Sequence, residues 1–174
     1  FRSGRGSPTE LREFLQRNQD WPGLPYLKEK GEQVFFESSR NEILSWFDEN
    51  PPISPSAATI YADALLEAGK TNKAELIVQD KWISEVMDSD LQTVYLRKYD
   101  VALSQLHDER SLELLWRDAF EALDDLIPLL SDDYKKLVKA VVALRRYKKD
   151  GVNTLINKVP ESLRTHPVLN LSLI

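Results

Sequence analysis

Four kinds of side chain in this sequence could carry chemistry. The first is a set of paired carboxylates, Asp124-Asp125 and Asp132-Asp133, the residue type that glycoside-cleaving enzymes use as acid and base. Adjacent positions on a helix point about a third of a turn apart, so neighbours do not face one another across a substrate. Both pairs read as helix caps and solvated helix surface. The second is the tryptophans, Trp21, Trp46, Trp82 and Trp116, whose flat rings could stack on sugar faces. Trp46, Trp82 and Trp116 fall on the apolar side of their segments and read as interhelix packing. Trp21 sits in a break and reads as the residue that locks the first turn of the next helix.

The third is His107 and His166, the only histidines, far apart and without metal-ligand spacing around them. The fourth is the basic cluster Arg145, Arg146, Lys148, Lys149. It falls where a helix ends and reads as complementing the carboxyl-end dipole. Gly4 and Gly6 make no phosphate loop, since no lysine-serine ending follows and no strand precedes. Asn170-Leu171-Ser172 matches a glycosylation triplet of the kind that arises often by chance. The chain has no cysteine, which excludes disulfides, thiolate nucleophiles and cysteine metal ligands. No catalytic, cofactor-binding or metal-binding residue is assigned, and no cofactor is expected.

The elements that would position such groups are helices. The 174 residues are 42% hydrophobic and 29% charged, a balance that suits a folded chain and argues against disorder. The net charge of -5 is spread along the sequence, and no basic face invites nucleic acid. No segment approaches the roughly 20 uninterrupted apolar residues of a membrane span. Glycine is scarce, and no run alternates with period two long enough for a strand. The expectation is all-α: a right-handed α-superhelix, or solenoid, of stacked helical hairpins.

Ser7-Pro8-Thr9-Glu10 is a capping-box helix start, followed by the stripe Leu11, Phe14, Leu15. Asp20 to Pro25 breaks it, and a helix from about Pro25 to Phe36 is expected to bury Tyr26, Leu27, Val34 and Phe35. Ile43, Leu44, Trp46 and Phe47 form the core side of a third helix, stopped by Asn50-Pro51-Pro52. Ser54-Pro55 opens a fourth, with Ala57, Tyr61, Ala64, Leu65 and Ala68 in register. Gly69 should end it and Thr71 cap the returning helix, which carries Ala74, Ile77, Val78 and Trp82. Small residues on the first member of this hairpin would admit the second. Further helices are expected over about Ser89–Tyr99, Gln105–Arg117 with Leu112, Leu115 and Trp116 on one side, and Ala119–Leu130. Ser131-Asp132-Asp133 then caps a helix striped by Leu137, Val138, Val141 and Leu144. Asp150-Gly151 turns into a shorter helix that Pro160 ends, and Pro167 opens the last.

Several of these stretches carry a resemblance. Asp20-Trp21-Pro22-Gly23-Leu24-Pro25-Tyr26-Leu27 resembles the helix-opening signature near the start of the superhelical domain in soluble lytic murein transglycosylases. Leu44-Ser45-Trp46-Phe47 with Asn50-Pro51-Pro52-Ile53-Ser54 is similar to a later segment of that family, and Ala62 to Ala74 to its helix-loop-helix repeat. Leu114 to Arg117 with Ala119 to Leu130 resembles its next helix pair. Ala143 to Arg146 with Val159-Pro160 and His166-Pro167 resembles the one after that. At His166 the family pattern would lead one to expect an aspartate cap. The resemblance spans roughly residues 9 to 174 in order, residues 1 to 8 reading as a flexible tail or a remnant of expression.

The resemblance implies a periplasmic bacterial parent enzyme, a carbon-oxygen lyase. Such enzymes cleave between N-acetylmuramic acid and N-acetylglucosamine in peptidoglycan and release 1,6-anhydromuropeptides. One glutamate in a lysozyme-like carboxyl-terminal domain, expected after residue 174, acts as acid and then as base. Glu37-Ser38 and Glu161-Ser162 are the only Glu-Ser dipeptides here, and neither has the setting of that catalytic glutamate. The present chain would be the non-catalytic scaffold, partnered by its own catalytic domain and by glycan strands. The alternative is a tetratricopeptide-like adaptor that holds a partner protein in a concave groove. Such repeats keep a period near ~34 residues, whereas the breaks in this sequence read as uneven, with a double proline at Pro51-Pro52.

Overall fold

The computed structural model describes residues 6–146 and 151–173. Expectations that fall on the amino-terminal tail before Gly6, on Lys148, Lys149 and Asp150, and on Ile174 lie outside the described residues. Every regular element among the described residues is helical, and no strand occurs among them. The chain divides into two compact units, Phe1–Lys81 and Trp82–Ile174.

In the first unit α1 (Pro8–Arg17) begins as the sequence predicts. The Ser7 hydroxyl accepts the Glu10 amide at 3.2 Å, and the Glu10 carboxylate accepts the Ser7 amide at 2.8 Å. Leu11 is fully buried. It lies against Gly31, where a Cβ would stand 2.6 Å from a Leu11 methyl, so α1 and α2 meet at a contact that any larger residue at position 31 would force Leu11 to vacate. The single helix expected over 25–36 is two: α2 (Leu24–Gly31) tightens into a 3-10 turn, Glu32–Phe35. Of the four residues expected to be buried, Phe35 is, Leu27 and Val34 are half-buried, and Tyr26 is 51% exposed.

The third helix, α3 (Arg40–Glu49), starts with a second capping box, Ser39 with Glu42. It ends at the double proline. α4 (Pro55–Glu67) follows with the Ser54 hydroxyl accepting the Ala57 amide at 3.2 Å. α4 packs on α3 and on the 3-10 turn. Their core is aromatic: Phe35 stacks on Trp46 at 4.9 Å, and Phe47 bridges Phe35 (5.6 Å) and Tyr61 (5.5 Å). Such ring pairs each contribute about 0.5–1.5 kcal/mol beyond area burial. Gly69 takes φ 72°, and the Lys70 amide reaches back to the Leu65 carbonyl at 2.8 Å, the left-handed helix end that the sequence marks. α5 (Thr71–Ser84) starts at Thr71 itself, so Lys70 occupies the cap position expected of Thr71. Asp48 ties α3, α4 and α5 together. Its carboxylate accepts from Lys73 Nζ at 2.7 Å and Tyr61 Oη at 2.5 Å, two bonds that hold its pKa below the usual carboxylate range.

In the second unit α6 (Ser89–Leu103) is capped by Asp88, whose carboxylate accepts the Leu91 amide at 2.8 Å. The expected end at Tyr99 is a kink (φ -125°, ψ 21°) beyond which the helix resumes. α7 (His107–Trp116) follows, then α8 (Phe120–Leu126), which tightens into a 3-10 turn over Ile127–Leu129 around Pro128. α9 (Asp132–Arg145) buries Leu137, Val138, Ala140, Val141 and Ala143. It packs on α7 and on two of the short final helices, α10 (Val152–Asn157), α11 (Glu161–Arg164) and α12 (Pro167–Asn170), namely α10 and α12. His166 caps α12 as a histidine can, its Nδ1 accepting the Val168 amide at 3.3 Å.

One expectation on spacing is corrected. The first seven helices start at Pro8, Leu24, Arg40, Pro55, Thr71, Ser89 and His107, steps of 15 to 18 residues. The breaks that look uneven in the sequence are therefore close to periodic over that stretch.

Candidate functional site

In the first unit α1, α2 and α3 enclose a groove of about 560 Å³. Arg12 and Gln16 lie one turn apart on α1, and Ser45 and Glu49 one turn apart on α3, so each helix presents one polar row to it. Lys28 on α2 and the buried Trp46 on α3 complete the lining. A smaller recess of about 220 Å³ shares Lys28, Trp46 and Glu49 with the groove and reaches Glu32 and Pro51. The Trp46 ring offers no platform for a sugar. One face stacks on Phe35, the Arg12 guanidinium lies 5.7 Å from its centroid, and the residue is 8% exposed.

Glu32 is the buried acid at the end of this recess. Its carboxylate accepts the Ile53 amide (2.5 Å), the Ser54 amide (2.9 Å) and the Ser54 hydroxyl (2.6 Å). It thereby fixes the joint between α3 and α4 and places negative charge at the start of α4, where the dipole favours it. Burial pushes its pKa above the usual carboxylate range, and the three hydrogen bonds offset only part of that rise. All of its bonding capacity toward the joint is taken, so it is a structural carboxylate.

The second unit holds a buried polar cluster that its sequence does not announce. Arg110 is fully buried on α7. It donates to Gln92 Oε1 from Nη2 (2.8 Å) and Nε (3.3 Å), to the Glu85 carbonyl (3.0 Å) and to the Trp82 carbonyl. Burial lowers its pKa to about 10. His107 packs edge-on to Trp82 at 5.8 Å, and burial lowers its pKa, with Asp100 and Asp108 raising it and Arg110 adding to the fall. His107 Nδ1 and Trp82 Nε1 have no hydrogen-bond partner among the described residues. A separate groove of about 760 Å³ lies between Met87–Asp90 and Asp118–Ala122.

The residues that the sequence singled out are dispersed. Asp124 pairs with Arg146 at 3.7 Å, and Asp125 accepts the Ser89 hydroxyl at 2.6 Å. Asp132 and Asp133 pair with Lys135 (3.8 Å) and Lys136 (3.2 Å) in the solvated first turn of α9, while Ser131 stands at the cap position without the side-chain capping bond expected of it. Trp46 and Trp82 are packed inside, but Trp116 is 42% exposed, since the buried stripe of α7 runs through His107, Arg110, Ser111, Leu114 and Leu115. The Trp21 carbonyl accepts the Leu24 amide at 3.0 Å, closing the turn into α2, while its ring leans on Phe14 at 5.9 Å. Arg145 and Arg146 do more than face a helix dipole. Arg145 donates to the Leu115 carbonyl, to Asp118 (2.7 Å) and to Ser172 Oγ (2.9 Å), and Arg146 lies 4.8 Å over the Phe120 ring. No group of three or more histidine or acidic side chains placed to hold a metal occurs among the described residues. No helix among them is long and apolar enough to cross a membrane.

No family model, no curated protein and no solved structure matches the chain.

Proposed function

We propose that this chain is a non-catalytic helical scaffold from a periplasmic lytic murein transglycosylase, built as a right-handed α-superhelix that supports a catalytic domain and engages glycan strands. The observation that carries the reading is where the resembling segments fall. Trp21 to Pro25 is the turn into α2, and Asn50 to Ser54 is the joint that Glu32 pins between α3 and α4. Ala62 to Ala74 spans the Gly69 turn, and His166-Pro167 caps α12. These are positions where a scaffold of stacked helices sets its angles, and the other resembling segments, Leu44 to Phe47, Leu114 to Arg117 and Ala119 to Leu130, fall mainly on the helices themselves, so the resemblance concerns architecture more than chemistry. Peptidoglycan engagement agrees with a groove walled by amide, hydroxyl and charged side chains on α1, α2 and α3.

The test uses purified murein sacculi. The chain is expected to co-sediment with them and to release no 1,6-anhydromuropeptide detectable by mass spectrometry. Reproducible turnover by a clean preparation would place chemistry in the chain itself, and failure to co-sediment would remove the glycan-binding part of the reading.

A second reading has one observation in its favour. Helix starts at steps of 15 to 18 residues give helix pairs near the ~34-residue period of tetratricopeptide-type adaptors. An adaptor would retain a protein partner and ignore sacculi, so the same sedimentation separates the two.

A further inference from the structure

The cations of the first unit are distributed unevenly. Arg17, Lys30, Arg40, Lys70, Lys73 and Lys81 each stand within ion-pair distance of a carboxylate. Arg12 and Lys28 are the two cations among the described residues of that unit without such a partner, and both line the same groove. The Arg12 guanidinium carbon lies 5.7 Å from the centroid of the Trp46 ring, and Glu42 feels its charge without standing within ion-pair distance of it. Beside the two cations, the side chains of Gln16, Gln19 and Ser45 make no hydrogen bond to the described protein. These three side chains are exposed along the groove, open to a ligand as they are to water.

We infer that this groove binds a carboxylate-bearing sugar-peptide of the N-acetylmuramyl-peptide class, with Arg12 and Lys28 holding the carboxylate and the side-chain amides of Gln16 and Gln19 holding the acetamido and peptide groups. The ligand's identity rests on the peptidoglycan reading above, while its charge rests on the unpaired cations. Glu49 stands on the same wall without an ion pair, so a polyanion would meet repulsion, and a ligand with one carboxylate among N–H and hydroxyl donors meets a complement. Leu15 and Leu24 supply apolar contact for methyl groups. The volume of about 560 Å³ falls in the range of ~300–1,000 Å³ usual for small-ligand sites.

The experiment is calorimetric titration of the 174-residue chain with N-acetylmuramyl-L-alanyl-D-isoglutamine. The same compound with its carboxyl amidated and a neutral N-acetylglucosamine trimer serve as comparisons. Saturable binding is expected for the free acid, weakened about tenfold or more by amidation and by Lys28→Gln, with little binding of the trimer. Arg12→Gln should act likewise; because Arg12 also packs on Trp46, Lys28→Gln decides if near-UV circular dichroism shows that the Arg12 variant has loosened. Absence of saturable binding at millimolar concentration, equal binding of the amidated compound, or an unchanged affinity in Lys28→Gln would each overturn the site. Sacculus co-sedimentation keeps the two readings apart. Sacculus binding without dipeptide binding overturns this site and leaves the scaffold reading, and dipeptide binding without sacculus binding leaves the site and removes the glycan-binding part of that reading.

Discussion

Arg110 and Trp82 are joined twice: the guanidinium carbon lies 4.0 Å from the centroid of the indole, and the same guanidinium donates to the Trp82 main-chain carbonyl. One charged side chain thus packs against a ring and satisfies a carbonyl in the last turn of α5 that has no intrahelical partner. With Glu85 and Gln92 also bonded to it, Arg110 has replaced its hydration shell with fixed acceptors. Arg110→Met keeps the length of the side chain but orphans these acceptors. A loss of about 3 kcal/mol or more is expected, the summed penalty of three acceptors left unpaired at about 1–3 kcal/mol each. Arg110→Lys should recover only part of it, because an ammonium cannot fork to Gln92 and the carbonyls together. Urea unfolding reads the outcome, and a Met variant as stable as the parent would deny the clamp.

Glu32 and Ser54 are the counterpart in the first unit. Glu32→Gln preserves shape yet turns an NH2 group toward donors that need an acceptor. The expected cost is about 1–3 kcal/mol, the penalty of leaving a buried donor unpaired. Ser54→Ala should cost less, since the carboxylate retains both amides. Thermal melts of the two variants order them, and the reverse order would show that the hydroxyl, as cap of α4, matters more than the acid.

Both residues show where the sequence stops being readable. Caps and breaks are local, so Ser7-Pro8, Ser54-Pro55 and Gly69 could be placed from neighbouring residue types alone. The Ser39-Glu42 capping box was equally open to reading, since the S-x-x-E spacing is present. Burial of a charge is not local. Arg110 and Glu32 look like solvated residues because their partners lie 18 to 28 and 21 to 22 positions away. A hint existed for Arg110. It falls on the stripe that includes His107 and Leu114, three before and four after, where a solvated charge has no place. Trp116 misled for the opposite reason: an apolar type at a helix end was assigned to a stripe that passes it by.

His107 makes the second unit sensitive to acid. Its buried imidazole has a pKa below the ordinary 6.5, so the folded state releases its proton more readily than the unfolded chain does. Below about pH 6.5 the unfolded state then binds more protons, and stability falls with pH until the folded imidazole itself takes one up. Above pH 6.5 this contribution is complete. His107→Phe keeps an edge-on ring against Trp82 and has no proton to bind. The urea midpoint of the parent is expected to drop between pH 7.5 and pH 5 by more than that of the variant. Equal drops in the two proteins would remove His107 as the cause.

Leu11 and Gly31 define the remaining test, because each is sized for the other. Gly31→Ala gains about 1 kcal/mol of helix propensity over glycine. Against that, its Cβ would stand 2.6 and 2.9 Å from the two Leu11 methyls, an overlap in a fully buried site of the kind that costs about 1–3 kcal/mol. The single variant should therefore be neutral to destabilised. Leu11→Ala alone removes a fully buried side chain and should cost about 2–5 kcal/mol. In the double variant the alanine at position 31 occupies part of the space left at position 11, so its propensity gain appears without the clash. The double variant is expected to be more stable than the sum of the singles requires, by about 1 kcal/mol or more, which is the signature of direct contact in a double-mutant cycle. Strict additivity would mean that α1 and α2 do not meet through this pair.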